Sequence, residues 1–375
     1  MEINMNAPKI NNATKIAEVR IDPCTLAKDD PEWKFALAAN PNSEGWIVTI
    51  ITEAGDYGYG YASSMPHYGA PLDAVRANIE GFAKLMTGAD SRAIAAILHQ
   101  LDRHVLGNNQ AKSAIDCALH DLLARRLGVP LCELFGGAIE TKFDSLRILP
   151  IKSPADMAAG ARELMNKGVM HFKIKVHGDV EEDIARVAAV REEAGPDAHL
   201  TIDANQSYTP KDAIRAITAM AAYGIALAEQ PVAAGDLRGL KLVTDSVPVV
   251  VEADEAAGSL DQVFNLVQGR MVDAVSLKIT KLGGLRNTIA AARICEVGGV
   301  RYRLGAHVGS RLLAANAIHM AATLPGIWFA SELTEFDRLL NDPFEGLEVD
   351  NGVVHLPEAI GCGVKPRADS GLAGA

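Results

Sequence analysis

From about Thr141 onward the sequence alternates short apolar runs with amphipathic stretches, and successive apolar runs end in charged side chains at a nearly constant step. Lys173 and Lys175 lie at the end of HFKIKV, Asp203 of HLTIDAN, Glu229 of IALAEQP, Asp254 of VPVVVEADE and Lys278 of DAVSLKIT; counted from Lys175, the steps are 28, 26, 25 and 24 residues. Each step has the length of one strand plus one helix. In chains of that rhythm the parallel strands close into a barrel, and every strand delivers its last residues to the same end. Eight strand candidates, from FDSLRILPI to IWFASEL, with seven amphipathic helices between them, predict a (β/α)7β barrel over residues 141–338. Ser153-Pro154 and Thr209-Pro210 read as helix caps followed by a first-turn proline, and Ser259 as the cap of SLDQVFNLVQG.

The preceding text is organised differently. Residues 15–140 begin with strand-like runs, including EGWIVTIITEAGDYGYGYAS, and continue into helices that end in AKSAIDCALHDLLARRLGVPL, which predicts a separate α+β unit. Residues 1–14 are polar and Asn-rich and read as a flexible leader, while residues 339–375 return to turn-rich text. The fold class is therefore α/β, a modified TIM barrel joined to a smaller α+β domain. With 49% hydrophobic and 22% charged residues over 375 positions, the chain has the composition of a globular protein with a substantial core. Its net charge of −11 disfavours nucleic acid and anionic membranes as partners, and no apolar run is of membrane-spanning or signal-peptide type. Five scattered cysteines without a CxxC pair suit a reducing compartment, so a cytoplasmic location is expected.

Three carboxylates on consecutive strands, Asp203, Glu229 and Asp254, flanked by lysines, point to a specific chemistry. Neighbouring anions raise one another's pKa, so the trio calls for a counter-charge. A hard dication such as Mg²⁺, with Mn²⁺ as the alternative, takes three monodentate oxygens and keeps half its octahedral shell for water and substrate. A substrate carboxylate held there has its α-proton acidified, because charge developing on enediolate oxygens is stabilised. The lysines then serve as acid and base, since a lysine beside other cations has its pKa lowered towards neutrality. Lys173 and Lys175 share one strand face, which places Lys173 to tune Lys175, while Lys278 faces the α-carbon from the opposite side. A single strand-end charge is more often a surface ion pair, but six of them on five consecutive strands describe a site.

The runs KIK, DAN, EQP, ADE and KxxKLGG, together with AKSAIDCALHDLLARRLGVPLCELFGG at Ala111–Gly137, resemble the enolase superfamily and, within it, the muconate-lactonizing subgroup. The resemblance spans nearly the whole chain. It implies that residues 15–140 and the tail 339–375 form a capping domain that closes over the barrel. It implies Asp203, Glu229 and Asp254 as Mg²⁺ ligands, Lys175 and Lys278 as paired acid/base lysines, Lys173 as the partner of the first, and Asn205 and Glu255 beside the metal. Lys278 on the sixth strand favours the two-lysine type over the mandelate-racemase type, which would carry an Asp there. His307, ending the seventh strand, is then expected to hydrogen-bond the substrate or a neighbour. Glu252 also points into the barrel, and a buried pair with a lower-layer cation is the simplest account of it.

Specificity in this family is expected from the cap and the eighth strand. Trp33 and Phe35, with Tyr57, Tyr59, Tyr61, His67 and Tyr68 of GYGYASSMPHYG, could cover an apolar or quaternary-ammonium group or could fill the cap core. On the eighth strand Glu332 is similar to an acidic position of muconate cycloisomerases, and Glu335-Phe336-Asp337 is similar to the acidic pair with which dipeptide epimerases hold an ammonium group. A small-molecule carboxylate is the expected partner, and a homo-oligomer is implied by the resemblance. Racemisation or epimerisation of an amino-acid derivative leads, because two lysines can remove and return a proton on opposite faces. Muconate-type lactonizing cycloisomerisation and syn-dehydration of a hydroxy acid share the first step. A catalytically silent barrel acting as a binding protein would have lost a ligand or base, and none is missing; a Schiff-base aldolase would not need three carboxylates.

Overall fold

The computed structural model describes residues 12–372, so residues 1–11 of the expected leader lie outside the described residues. Asn12–Thr14 forms a short turn with Thr14 buried, so packed structure begins before Lys15. Three antiparallel strands follow, β1 (Ile16–Ala27), β2 (Asn42–Thr52) and β3 (Tyr57–Ser63), and then three helices, α1 (Leu72–Met86), α2 (Ile94–His104) and α3 (Asn109–Leu127). The Tyr-Gly alternation of β3 has a packing cause. Glycine has no Cβ, and one added at Gly60 would lie 1.8 Å from the Ala114 carbonyl oxygen, so this face of the strand admits α3 at backbone contact. Tyr59 and Tyr61 point to the other face, where both are fully buried; Tyr59 meets Phe344 edge-on at 5.4 Å. These two rings belong to the core.

Among the described residues seven parallel strands then pair in sequence order: β4 (Leu146–Leu149), β5 (His171–Lys175), β6 (His199–Asp203), β7 (Ile225–Glu229), β8 (Val250–Ala253), β9 (Ala274–Lys278) and β10 (Arg301–Gly305). Helices α4 (Pro154–Met165), α5 (Val180–Ala194), α6 (Pro210–Met220), α7 (Leu237–Ser246), α8 (Leu260–Gln268), α9 (Leu285–Gly298) and α10 (Arg311–Thr323) fall between and after them. The expected caps form: Ser153, Thr209 and Ser259 each accept a hydrogen bond from the backbone N–H three residues on. Side chains alternate along each strand, so Phe172, Ile174, Leu200 and Ile202 pack outward while Lys173, Lys175 and Asp203 turn inward.

Two strands differ from expectation. FDSLRILPI divides, with Lys142–Asp144 pairing antiparallel to Val353–His355 of the tail and only Leu146–Leu149 entering the barrel. IWFASEL makes two separate parallel bridges to β10, Tyr302 with Ile327 and Gly305 with Glu332. Phe329 between them adopts φ +70°, which breaks the ladder. The tail meets the N-terminal unit: the Leu340 N–H donates to the Ala27 carbonyl at 2.9 Å, and the Cys362 N–H to Asp121 Oδ1 at 2.7 Å. The five cysteines are free and buried. Among the described residues no helix is long and apolar enough to cross a membrane.

His319 on α10 is fully buried, and its Nδ1 accepts a hydrogen bond from the Cys132 N–H at 3.3 Å. Burial lowers its pKa from 6.5 to about 4. The unfolded chain therefore binds the additional proton between those values, so His319 stabilises the fold above pH 6.5 and that contribution is lost as pH falls towards 4. In His319→Leu, denaturant unfolding should lose part of its acid dependence in this window, up to about 3 kcal/mol. An unchanged pH dependence would remove His319 from the account.

Candidate active site

The C-terminal ends of the barrel strands and the wall of the cap enclose a cavity of about 280 Å³. Lys173, Lys175, Asp203, Asn205, Asp254, Lys278, His307 and Glu332 line its floor, and Trp33, Phe35, His67 and Tyr68 line the cap side. Adjacent strands set the register, with Lys175 opposite Asp203, Asp203 opposite Glu229, and Glu229 opposite Glu252. Asp254 lies two residues beyond Glu252 and so returns to the same face.

Lys173 is the hub of the floor. Its Nζ lies 2.9 Å from Asp203 Oδ2 and 2.8 Å from Glu229 Oε2, and it donates to Glu332 Oε1. Burial opposes its charge, but Asp203, Glu229 and Glu332 outweigh that and hold its pKa well above the usual lysine value. Lys175 donates to Asp203 Oδ2 at 2.5 Å and Asn205 Oδ1 at 2.7 Å; Asn205 in turn donates to Glu255 Oε1 at 3.1 Å. Burial, then Asp254 and Asp203, push Glu255 up to about 7. Lys278 donates to Asp254 Oδ2 at 2.8 Å and stands 3.9 Å from Glu229 Oε1. Burial works against its proton too, yet Asp254 and then Glu332 raise its pKa.

Among the described residues no three acidic, His or Cys side chains converge on one point as ligands would. Asp203 and Glu229 converge on Lys173, and Asp254 on Lys278 and Lys281. The donor chemistry nevertheless fits a hard dication. The oxygens are carboxylates on consecutive strands, and Glu229 Oε1 is buried without a hydrogen-bond partner. Burial, opposed by Lys173 but reinforced by Asp203, holds Glu229 well above the usual carboxylate range, the condition that a cation relieves.

His307 lies at the rim of the floor, with Nδ1 2.6 Å from Thr280 Oγ1 and Nε2 buried without a partner. Burial, then Lys278, keeps the ring neutral. Trp33 is buried in the cap wall beneath Lys28, whose Nζ sits 4.3 Å above its ring. Three other candidates are not brought to the cavity. Tyr57, the first residue of β3, packs on Tyr59 and Arg125. Glu335 is buried against Arg338 at 2.9 Å and accepts from the Ile148 N–H at 3.0 Å, and Asp337 accepts from Arg147 at 2.9 Å. Arg147 is outward-facing on β4, so its ion pairs draw these carboxylates away from the site. Among the described residues that line the cavity, Glu332 is present and Glu335 and Asp337 are not.

Several contributors were not evident from the sequence. Arg303 on β10, 1% exposed, donates to both oxygens of Glu252 at 2.8 and 2.9 Å and also to Glu229 Oε2. It is the lower-layer cation that Glu252 called for. Lys281 donates to the Asp254 carbonyl at 2.7 Å, to its Oδ1 and to the Ser276 carbonyl at 2.9 Å. Its signal was the second lysine of KxxK, one helical turn after the first. Tyr68, expected from the sequence only as a ring of the lid or of the cap core, donates to Asp254 Oδ2 at 3.1 Å. Gln230 of EQP accepts from the Asp254 and Ala256 N–H groups at 2.9 and 3.0 Å, binding two strand ends together.

Residues 24–136 match the family model of the mandelate racemase / muconate lactonizing enzyme N-terminal domain, and residues 156–370 match that of the enolase C-terminal domain-like family. The chain is 35% identical over 297 residues to an L-Ala-D/L-Glu epimerase of Clostridium acetobutylicum, covering 77% of this chain and 82% of that one. It is 31% identical over 333 residues to chloromuconate cycloisomerase CbnB of Cupriavidus necator, covering 86% and 89%. The crystal structure of the dipeptide epimerase of Enterococcus faecalis V583, complexed with Mg and the dipeptide L-Leu-L-Tyr, superposes with a TM-score of 0.89 at 33% identity, covering 94% of this chain and 99% of that one.

Proposed function

Since this chain belongs to the enolase superfamily, in its mandelate racemase/muconate lactonizing branch, we propose that it is a Mg²⁺-dependent isomerase that takes the α-proton from one face of a small carboxylate and returns it on the other, racemising or epimerising an amino-acid derivative. The observation that carries this reading is the placement of two ammonium groups, Lys175 on β5 and Lys278 on β9, four strands apart around one cavity. A carboxylate substrate between them presents one face of its α-carbon to each. When bound at Asp203, Glu229 and Asp254, Mg²⁺ (or Mn²⁺) would supply positive charge to the substrate carboxylate and release Lys175 from Asp203 and Lys278 from Asp254. Lys173 stays charged and anchors Asp203, Glu229 and Glu332 from below. Asn205 orients Lys175, and the neutral His307 offers Nε2 to a hydrogen-bonding group of the substrate. Trp33 and Phe35 give the cap wall an apolar surface, and it excludes water around the substrate side chain.

The dipeptide held by the Enterococcus faecalis relative supports an amino-acid derivative as substrate. Cycloisomerisation of a muconate-like diacid is the second reading. The absence of Glu335 and Asp337 from the cavity favours it, since a diacid needs no acidic partner, as does the cycloisomerase relative. Incubation with Mg²⁺ in D₂O against dipeptides, N-acyl amino acids, hydroxy acids and muconates distinguishes the readings. Racemisation predicts α-deuterium with inversion, cycloisomerisation a lactone, and dehydration an oxo acid. No deuterium uptake and no product from any class would sink the isomerase reading. Metal binding is tested separately by titration calorimetry. Asp254→Asn and Glu229→Gln are each expected to weaken Mg²⁺ at least about tenfold, a loss of about 1.4 kcal/mol. Unaltered affinity in both would remove them as ligands.

A further inference from the structure

The helix that carries AKSAIDCALHDLL belongs to the cap, yet its N-terminal half grips the barrel at the segment that follows Lys278. We propose that Asp116 and Asn109 of α3 are positioning residues for Lys278, fixing the turn that carries it and so governing proton transfer on that lysine's face of the substrate alone. The proposal rests on the two-lysine reading above.

Lys278 is the last residue of β9; Ile279–Leu282 coils into one helical turn, Gly283-Gly284 reverses the chain, and α9 begins at Leu285. The start of α9 has no capping side chain of its own. Asp116 supplies the missing acceptor from the cap: its Oδ2 accepts from the Leu285 N–H and, at 3.4 Å, from the Arg286 N–H. A carboxylate there also complements the positive end of the helix. Asp116 is fully buried and held in turn by His120, whose Nδ1 lies 3.0 Å from Oδ1 and 2.8 Å from the Asp116 carbonyl. The approach is so close that a Cβ on Gly284, at φ +124°, would lie 2.1 Å from Asp116 Oδ2. The second glycine of KLGG thus exists for the cap carboxylate.

Two turns earlier on α3, Asn109 Nδ2 donates to the Lys281 carbonyl at 2.5 Å and to the Gly258 carbonyl at 2.9 Å. One amide therefore ties the turn after Lys278 to the loop after Asp254. The opposite lysine is held differently. The loop after Lys175 is fixed from within the barrel by Asp183, which accepts from the His177 N–H at 3.2 Å and the Gly178 N–H at 2.9 Å. Loosening α3 therefore acts on one lysine and leaves the other in place.

The test compares solvent deuterium exchange from the two epimers of a substrate, since each epimer gives its proton to one lysine. Asn109→Asp keeps the shape but turns a donor towards two carbonyls into an acceptor; Asp116→Ala removes the acceptor, and Asp116→Asn retains one for Leu285. In Asn109→Asp and Asp116→Ala, exchange from the epimer facing Lys278 should fall at least about tenfold and the other should stay within about twofold, with Asp116→Asn between. In parallel, amide hydrogen exchange should speed up in residues 279–285 of the variants and stay unchanged in residues 175–178. Equal loss for both epimers would assign α3 a general structural role and overturn the proposal, as would unaltered amide exchange at 279–285. If the wild type exchanges no substrate proton at all, the isomerase reading fails and the amide exchange decides the clamp by itself. Asn109, half-buried, carries the test if Asp116→Ala does not fold.

Discussion

Lys278→Ala is expected to lose α-deuterium exchange from one epimer of the substrate while retaining it from the other, and Lys175→Ala is expected to do the reverse. Both variants should lose net racemisation, because inversion needs one group to remove the proton and a second to return it. A positioned acid or base contributes about 10²–10⁴-fold, so the affected exchange should fall by that order. The geometry behind the expectation is the separation of the two ammonium groups. Lys175 leans on Asp203 and Asn205, and Lys278 on Asp254, so each is oriented by a different strand end. Mass spectrometry of each recovered epimer provides the readout. If both variants lost exchange from both epimers equally, one lysine alone would be the base and the other a binding group. If neither lost it, His307 would be the remaining candidate on the cavity wall.

Arg303→Met should be among the most destabilising single changes in the barrel. The guanidinium is fully enclosed, donating to both oxygens of Glu252 and to Glu229 beneath the site floor. Its removal strands the buried carboxylate of Glu252, for which the cost is about 3–5 kcal/mol, and leaves Glu229 to Lys173. Glu252→Gln in the same chain removes one stranded charge and should recover part of the loss. Denaturant unfolding of the two variants measures both effects. A loss below about 1 kcal/mol in Arg303→Met would mean that Lys173 or water takes over the pairing. The same change should weaken Mg²⁺ binding, because Glu229 loses one of the two cations that orient it through Oε2.

Legibility followed range along the chain. Strand–helix rhythm, the helix caps at Ser153, Thr209 and Ser259, and the inward turn of Lys173, Lys175, Asp203, Glu229, Asp254 and Lys278 are local properties of a repeating unit. A period-two strand and a fixed repeat length suffice to send those side chains to one end of one barrel. Glu252 was legible as a buried acid needing a partner, but not that the partner is Arg303, which lies 51 residues away on a strand that had to be brought round the sheet.

The amino-acid order by itself therefore determined the barrel, its cap and the identity of the charged floor, because those follow from periodicity and from which residue types cannot be buried alone. Only the tertiary structure decided which acidic residues of the eighth strand reach the cavity. Glu332 turns to Lys173, whereas Glu335 and Asp337 follow Arg338 and Arg147 away from it. The Tyr-Gly alternation of β3 was equally silent until α3 lay upon it, since a glycine's lack of Cβ has meaning only when a second backbone occupies that space. Pairing between distant charges and contact between distant backbones depend on the closed chain, and no local pattern encodes them.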